Sequence, residues 1–166
     1  MNRRDEAHIH RALQVAADRL LAFVREPVPL QRESWGDLAC LLDDLARAGS
    51  AVARAIPDSA PELAPKDADP PIDRLALERR FPDFGMYATV QPLTPQGELC
   101  VDSAPTVGDA IDDLLDLSME LRDGCWIREH HGPHAEAETL AWSFRVHWGR
   151  HLRDLTSYLH QLLHEG

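Results

Sequence analysis

The run of residues 133–163 constrains the fold most strongly, because it has no proline after its first position and carries many large apolar side chains. Near its middle, residues 141–151 read A-W-S-F-R-V-H-W-G-R-H and hold two of the four tryptophans and two of the nine histidines. We predict one helix of about 30 residues, about 45 Å long at the usual rise per residue. Because this helix is apolar on more than one side, other helices should surround it.

The apolar face of this predicted helix follows from intervals of three and four residues. Trp142 and Val146 point away from that face, and His147 and Tyr158 flank it. Its members are Ala137, Leu140, Phe144, Trp148, His151, Leu155, Leu159 and Leu162. We expect Phe144, Trp148 and His151 to be covered by the neighbouring helices.

The N-terminal part of the chain predicts two more helices. Apolar residues at helical spacing indicate the first over residues 5–25, which two prolines follow. The second runs from Ser34, a suitable N-cap, to Pro57. Gly49 has a low helix propensity, so any bend in the second helix should lie near it.

The C-terminal part adds two helices and an extended segment. Residues 72–81 predict a short helix, and residues 86–101 predict an extended loop packed on the helices. The next helix is predicted to begin at Thr106, with Asp109 in the capping-box position. Gly124 is its predicted C-terminal stop.

The layout predicts an all-α fold, a single helical domain over residues 1–166 built as a bundle of four to five helices. Residues 1–56 form an N-terminal helical hairpin in this prediction. Residues 57–71 are a proline-rich linker, and residues 72–166 are the C-terminal body. A short extended segment belongs to that body.

Composition and charge limit the kinds of molecule that this protein can bind. A net charge of −11 disfavours nucleic acid and an anionic membrane surface. No apolar run approaches the ~20 residues that would span a bilayer, and the N-terminus lacks the apolar core of a secretory signal. The three cysteines are odd in number and form no C-x-x-C, so we expect a cytoplasmic protein without a disulfide framework.

The first candidate for chemistry is the pair His147 and His151. Residues four apart on a helix lie on adjacent turns, where two imidazoles can bind one metal ion if other ligands complete the site. The motif H-x-x-x-H lacks the glutamate of the zinc-protease form H-E-x-x-H. The alternative is that both are core histidines that donate hydrogen bonds while packing on Trp148.

The second candidate is an acidic ladder on the predicted helix before Gly124. It consists of Asp109, Asp112, Asp113, Asp116, Glu120 and Asp123. Asp112, Asp116 and Glu120 are spaced four apart, and carboxylates stacked in this way can hold Mg²⁺ against a diphosphate. With the histidine pair, these three are the candidate metal ligands. The alternative is the solvated face of an amphipathic helix.

The third candidate is a possible zinc site formed by residues that are close together in the sequence, although their spacing matches no established zinc motif. It consists of Cys125, His130, His131 and His134. The sequence also contains no P-loop, no dinucleotide-binding glycine motif and no nucleophile elbow.

The pattern W-x-F-x-x-H-W-G-x-H at residues 142–151 resembles a family of small bacterial proteins known only as a domain of unknown function. Tyr87, Pro92, Asp112-Asp113-Leu114, Asp116 and Leu159-His160 extend the resemblance. It implies an all-helical cytoplasmic domain and brings no activity, cofactor or partner. The chain departs from the family pattern in its longer linker and in Leu117-Ser118.

Two functions from different classes follow from these features. The first is a non-enzymatic interaction module that binds a protein partner or itself through an apolar and acidic helical surface, without a cofactor. The alternative is a metal-dependent phosphohydrolase of the nucleotide-pyrophosphate type, with the carboxylate ladder and the histidine pair as its divalent-metal site. The sequence assigns no catalytic residue in either case. The phosphohydrolase requires the candidate ligands to lie close together in the fold, whereas the interaction module does not.

Overall fold

The computed structural model describes residues 3–57, 72–89 and 104–164, with side chains from residue 5 onward. The described chain is predominantly helical and has one small two-stranded sheet, so the predicted all-α bundle is confirmed. The elements in chain order are α1 (Arg3–Val24), a 3₁₀ turn (Arg32–Ser34), α2 (Trp35–Ala55), α3 (Arg74–Arg80), β1 (Met86–Thr89), β2 (Thr106–Asp109), α4 (Ala110–His131), α5 (Pro133–Ser143), a π turn (Phe144–Trp148) and α6 (Gly149–His164).

Helix α1 packs along α2. α2 passes through Gly49 without a break. A Cβ atom at this position would lie 2.7 Å from Cη2 of Trp148 and 2.8 Å from the ring of Phe144. The glycine therefore serves close packing against the C-terminal helix, and α2 continues through it.

The predicted central helix is present as one continuous helical rod made of α5, the π turn and α6. The rod packs against α1, α2 and α4. Trp148 is fully buried and Phe144 is 6% exposed, and the Trp148 indole N–H donates to the carbonyl of Leu140 at 3.2 Å. The π turn was not predicted, because a wheel at a constant angle per residue has no signature for a locally wider turn.

The predicted start of the fourth helix at Thr106 is wrong. Residues Thr106–Asp109 form β2, which pairs antiparallel with β1 so that Gly108 lies opposite Tyr87. Asp109 is the actual N-cap of α4, and its carboxylate accepts from the amide of Ile111 at 2.9 Å. The extended character predicted for residues 86–101 is seen in β1, and its remainder from residue 90 lies outside the described residues.

The predicted helix stop at Gly124 is also wrong, because α4 continues to His131. Gly124 is buried, and a Cβ atom there would meet the Leu140 side chain at 2.8 Å. The helix ends instead at Gly132, whose φ of 92° suits glycine. The short helix predicted at 72–81 is confirmed as α3, capped by Asp73, whereas linker residues 58–71 lie outside the described chain.

Candidate metal centre

Helix α4 and the C-terminal rod bring Asp116, His147 and His151 together, and we call these three residues the Asp116 site. One potential ligand atom from each lies within 4.8 Å of the other two. The side chains are partly exposed, at 39% for Asp116, 44% for His147 and 28% for His151. The site therefore lies at the surface where α4 packs against the π turn and α6.

Each histidine of the Asp116 site is oriented by its own carboxylate. Nδ1 of His151 lies 2.6 Å from Oδ1 of Asp113, and Nδ1 of His147 lies 2.9 Å from Oε1 of Glu120. In the neutral rings these contacts assign the proton to Nδ1, so Nε2 keeps its lone pair. Nε2 of His151 lies 3.5 Å from Oδ2 of Asp116. Metal-binding histidines are oriented by carboxylates in this way.

Asp113 links the site to the small sheet. Its side chain is 8% exposed and accepts a hydrogen bond from the hydroxyl of Tyr87 as well as the contact from His151. Burial raises the pKa of Asp113, and the hydrogen bonds from Tyr87 and His151 oppose that rise. Burial and the Asp113 carboxylate raise the pKa of Tyr87, so its hydroxyl stays protonated and donates.

The ring of Tyr87 stacks on that of Tyr158, with centroids 5.1 Å apart. Across the sheet, a Cβ atom on Gly108 would lie 2.4 Å from Cζ of Tyr87. A glycine at this position gives the tyrosine ring room to cross the neighbouring strand and reach Asp113. The strand pair therefore positions Tyr87, whose hydroxyl donates to the Asp113 carboxylate, and this carboxylate orients His151.

Four of the five sequence-predicted ligands come together, namely Asp116, Glu120, His147 and His151. Glu120 binds a histidine, so its carboxylate orients a ligand. Asp112 does not join them: it is 57% exposed and pairs with Arg74, which also contacts Asp109 at 2.7 Å. The described structure therefore places Asp112 outside the group of candidate ligands.

Sequence reasoning included Asp113 in the acidic ladder but did not select it as a site residue, and it did not select Tyr87. The spacing in the sequence could have identified Asp113. It precedes Asp116 by three residues and Asp116 precedes Glu120 by four, which places all three on one face of α4. The role of Tyr87 had no local signal, because its contact with Asp113 joins β1 to α4.

The sequence-local group around Cys125 does not form a metal site in the described chain. The Cys125 thiol lies 3.6 Å from Asp18 and 3.5 Å from Arg128, and burial raises its pKa to about 11. His130 stacks on Trp126 at 4.1 Å, and His134 lies beside α1. Among the described residues, neither candidate metal cluster includes Cys125.

The donor set of the Asp116 site favours a transition metal. Two imidazole nitrogens and one carboxylate suit Zn²⁺, Fe²⁺ or Mn²⁺, whereas Mg²⁺ and Ca²⁺ prefer oxygen ligands. Three protein ligands at a partly exposed position leave coordination positions for water or a substrate. This is the ligand number of catalytic sites, since structural zinc sites close with four.

No family model, curated protein or solved structure matches this chain. The resemblance carried by residues 142–151 therefore stays a prediction. Among the described helices, none combines the length and apolar content required to cross a membrane.

Proposed function

We propose that this protein binds a divalent transition-metal ion at the Asp116 site and uses it for metal-assisted hydrolysis. The observation that carries the proposal is the pairing of both histidines with carboxylates through Nδ1, which presets Nε2 of each ring as a ligand. His151 and Asp116 already face one another at 3.5 Å.

The ligand number supports a catalytic use of the ion. A metal held by three protein side chains keeps a bound water, and Zn²⁺ can lower the pKa of such a water to about 7. The same ion can polarise the phosphoryl or carbonyl oxygen of a substrate that enters the open position. A phosphate ester is the first substrate class to test, because a cation on this acidic chain would offset repulsion of the substrate.

The interaction-module alternative has less support from the described surface. The exposed large apolar side chains are Val15, Val28, Leu75, Met86, Val107, Met119 and Val146. They belong to seven different segments of the chain. Met86 and Val107 share one face of the strand pair, and the other five lie on five other segments, so these residues do not by themselves define an extended docking face.

Metal binding is tested on tag-free protein stripped with a chelator and titrated with Zn²⁺, Mn²⁺ or Co²⁺. His147→Ala should remove one bound ion per chain relative to the unaltered protein. Asp112→Asn is the control, because this carboxylate is on the same helix as Asp116 but contacts Arg74. Equal metal content in His147→Ala and the unaltered protein would overturn the site.

Hydrolysis is tested with the same proteins on nitrophenyl phosphate mono- and diesters. Activity should require added metal, disappear in His147→Ala and survive in Asp112→Asn. A bound ion without metal-dependent turnover on these esters or on nitrophenyl acetate would contradict the hydrolytic function while leaving the metal site in place.

A further inference from the structure

A second group of ligating side chains lies where α1 meets α5, away from the residues of the Asp116 site. Glu6 and His10 are one turn apart on α1, and His134 lies near the start of α5. We call these three residues the Glu6 cluster. One potential ligand atom from each of Glu6, His10 and His134 lies within 4.8 Å of the other two.

The distance between Glu6 and His134 fits two ligands of one ion. Nδ1 of His134 lies 3.9 Å from Oε1 of Glu6, whereas Glu138 lies against Nε2, on the other side of the ring, at 3.5 Å. The separation of Glu6 and His134 is too long for a good hydrogen bond. Ligands about 2.0–2.2 Å from a tetrahedral zinc ion are about 3.3–3.6 Å from one another, so a small approach of Glu6 to His134 would bring this pair to that spacing.

His10 gives an independent indication that a ligand is missing. Its Nε2 atom is buried and has no hydrogen-bond partner among the described residues. A buried polar nitrogen without a partner is costly, and coordination of an ion would satisfy it.

The other two members supply an imidazole and a carboxylate beside His10. The centroids of the His10 and His134 rings are 5.9 Å apart. The Glu6 carboxylate, one turn before His10 on α1, supplies negative charge for a divalent cation.

We propose that Glu6, His10 and His134 form a second site for a zinc-type divalent ion that joins α1 to α5. Because its ligands come from two helices, binding of the ion would stabilise the fold. The ion would tie the N-terminal helix to the C-terminal rod. Its occupancy does not depend on any activity of the Asp116 site.

The test measures zinc stoichiometry and thermal unfolding on the full tag-free chain, before and after chelation. The unaltered protein should bind two ions, and zinc should raise its unfolding temperature. His134→Ala should retain one ion and lose most of the thermal shift. This side chain is 66% exposed, so its removal should not prevent folding.

Two further variants keep the outcomes distinguishable. His147→Ala removes an ion from the Asp116 site and should keep the zinc-dependent thermal shift of the Glu6 cluster. His8→Ala removes an exposed histidine of α1 outside the cluster and should bind zinc as the unaltered protein does. The proposal is overturned if His134→Ala binds as many zinc ions as His8→Ala, or if zinc stabilises both variants equally.

Discussion

A Cβ atom on Gly149 would lie 2.2 Å from the carbonyl oxygen of Phe144, five residues earlier in the same rod. The contact arises because residues Phe144–Trp148 form a π turn, whose wider ring brings this carbonyl to the fifth residue along the chain. The π turn therefore requires a residue without a side chain at position 149. His147 lies within that turn and His151 follows it, so the turn sets the relative positions of two candidate ligands.

Gly149→Ala should both destabilise the protein and weaken metal binding at the Asp116 site. The added methyl group meets backbone, which can yield only by a shift of the π turn, and overpacking of this kind costs about 1–3 kcal/mol. The free energy of unfolding and the affinity for Co²⁺ or Zn²⁺ are measured together. The Glu6 cluster is the internal control, because its ion should be retained. Unchanged affinity at the Asp116 site would show that the turn does not position His147.

The carboxylate of Asp113 should contribute to metal affinity without contacting the ion. Asp113→Asn keeps the size of the side chain but replaces the anionic acceptor of His151, and loss of such a partner typically costs about 10–100-fold in affinity. Calorimetric titration with Zn²⁺ measures the change. Substitution of the ligand His151 by alanine should cost more.

Tyr87→Phe tests the hydrogen bond that Asp113 accepts from the small sheet. It removes the hydroxyl that donates to Asp113 and keeps the ring stacked on Tyr158. The affinity should fall by less than in Asp113→Asn, because His151 retains its anionic partner. An effect of Tyr87→Phe as large as that of Asp113→Asn would indicate that the strand pair, and not the carboxylate, holds the histidine.

Gly49→Ala should lower the free energy of unfolding although alanine favours helix formation. The new Cβ atom would lie 2.7 Å from Trp148 and 2.8 Å from Phe144, so overpacking of about 1–3 kcal/mol outweighs the gain in helix propensity. Gly36→Ala is the control, because nothing lies within 4 Å of its added Cβ atom. Chemical denaturation of both variants decides the prediction, and a Gly49→Ala protein as stable as Gly36→Ala would contradict it.

The fold could be predicted where the apolar period repeats over many turns, as it does through Leu140, Trp148 and Leu155. The start of α4 could not, because Thr106 and Asp109 both suit a helix N-terminus and only pairing with β1 decides between them. The i,i+4 pattern placed His147 beside His151 correctly. It did not predict that Asp112 contacts an arginine from α3, because no local pattern contains this contact.

The stability of the protein should respond to the ionisation of Glu136, a carboxylate that is 1% exposed. It accepts from Gln14 Nε2 at 2.9 Å and pairs with Arg128 at 3.1 Å. Burial nevertheless dominates and raises the pKa of Glu136 above its ordinary value. The native state therefore holds this proton more tightly than the unfolded chain.

Between the ordinary pKa of a glutamate and the raised pKa in the native state, the contribution of Glu136 to stability falls as pH rises. Glu136→Gln cannot ionise, so its free energy of unfolding should increase relative to that of the unaltered protein across this window. Urea denaturation of both chelated proteins from pH 4.5 to 8 measures that difference. A difference that stays constant would mean that Arg128 and Gln14 offset the cost of burial, and one that shrinks as pH rises would mean that they outweigh it.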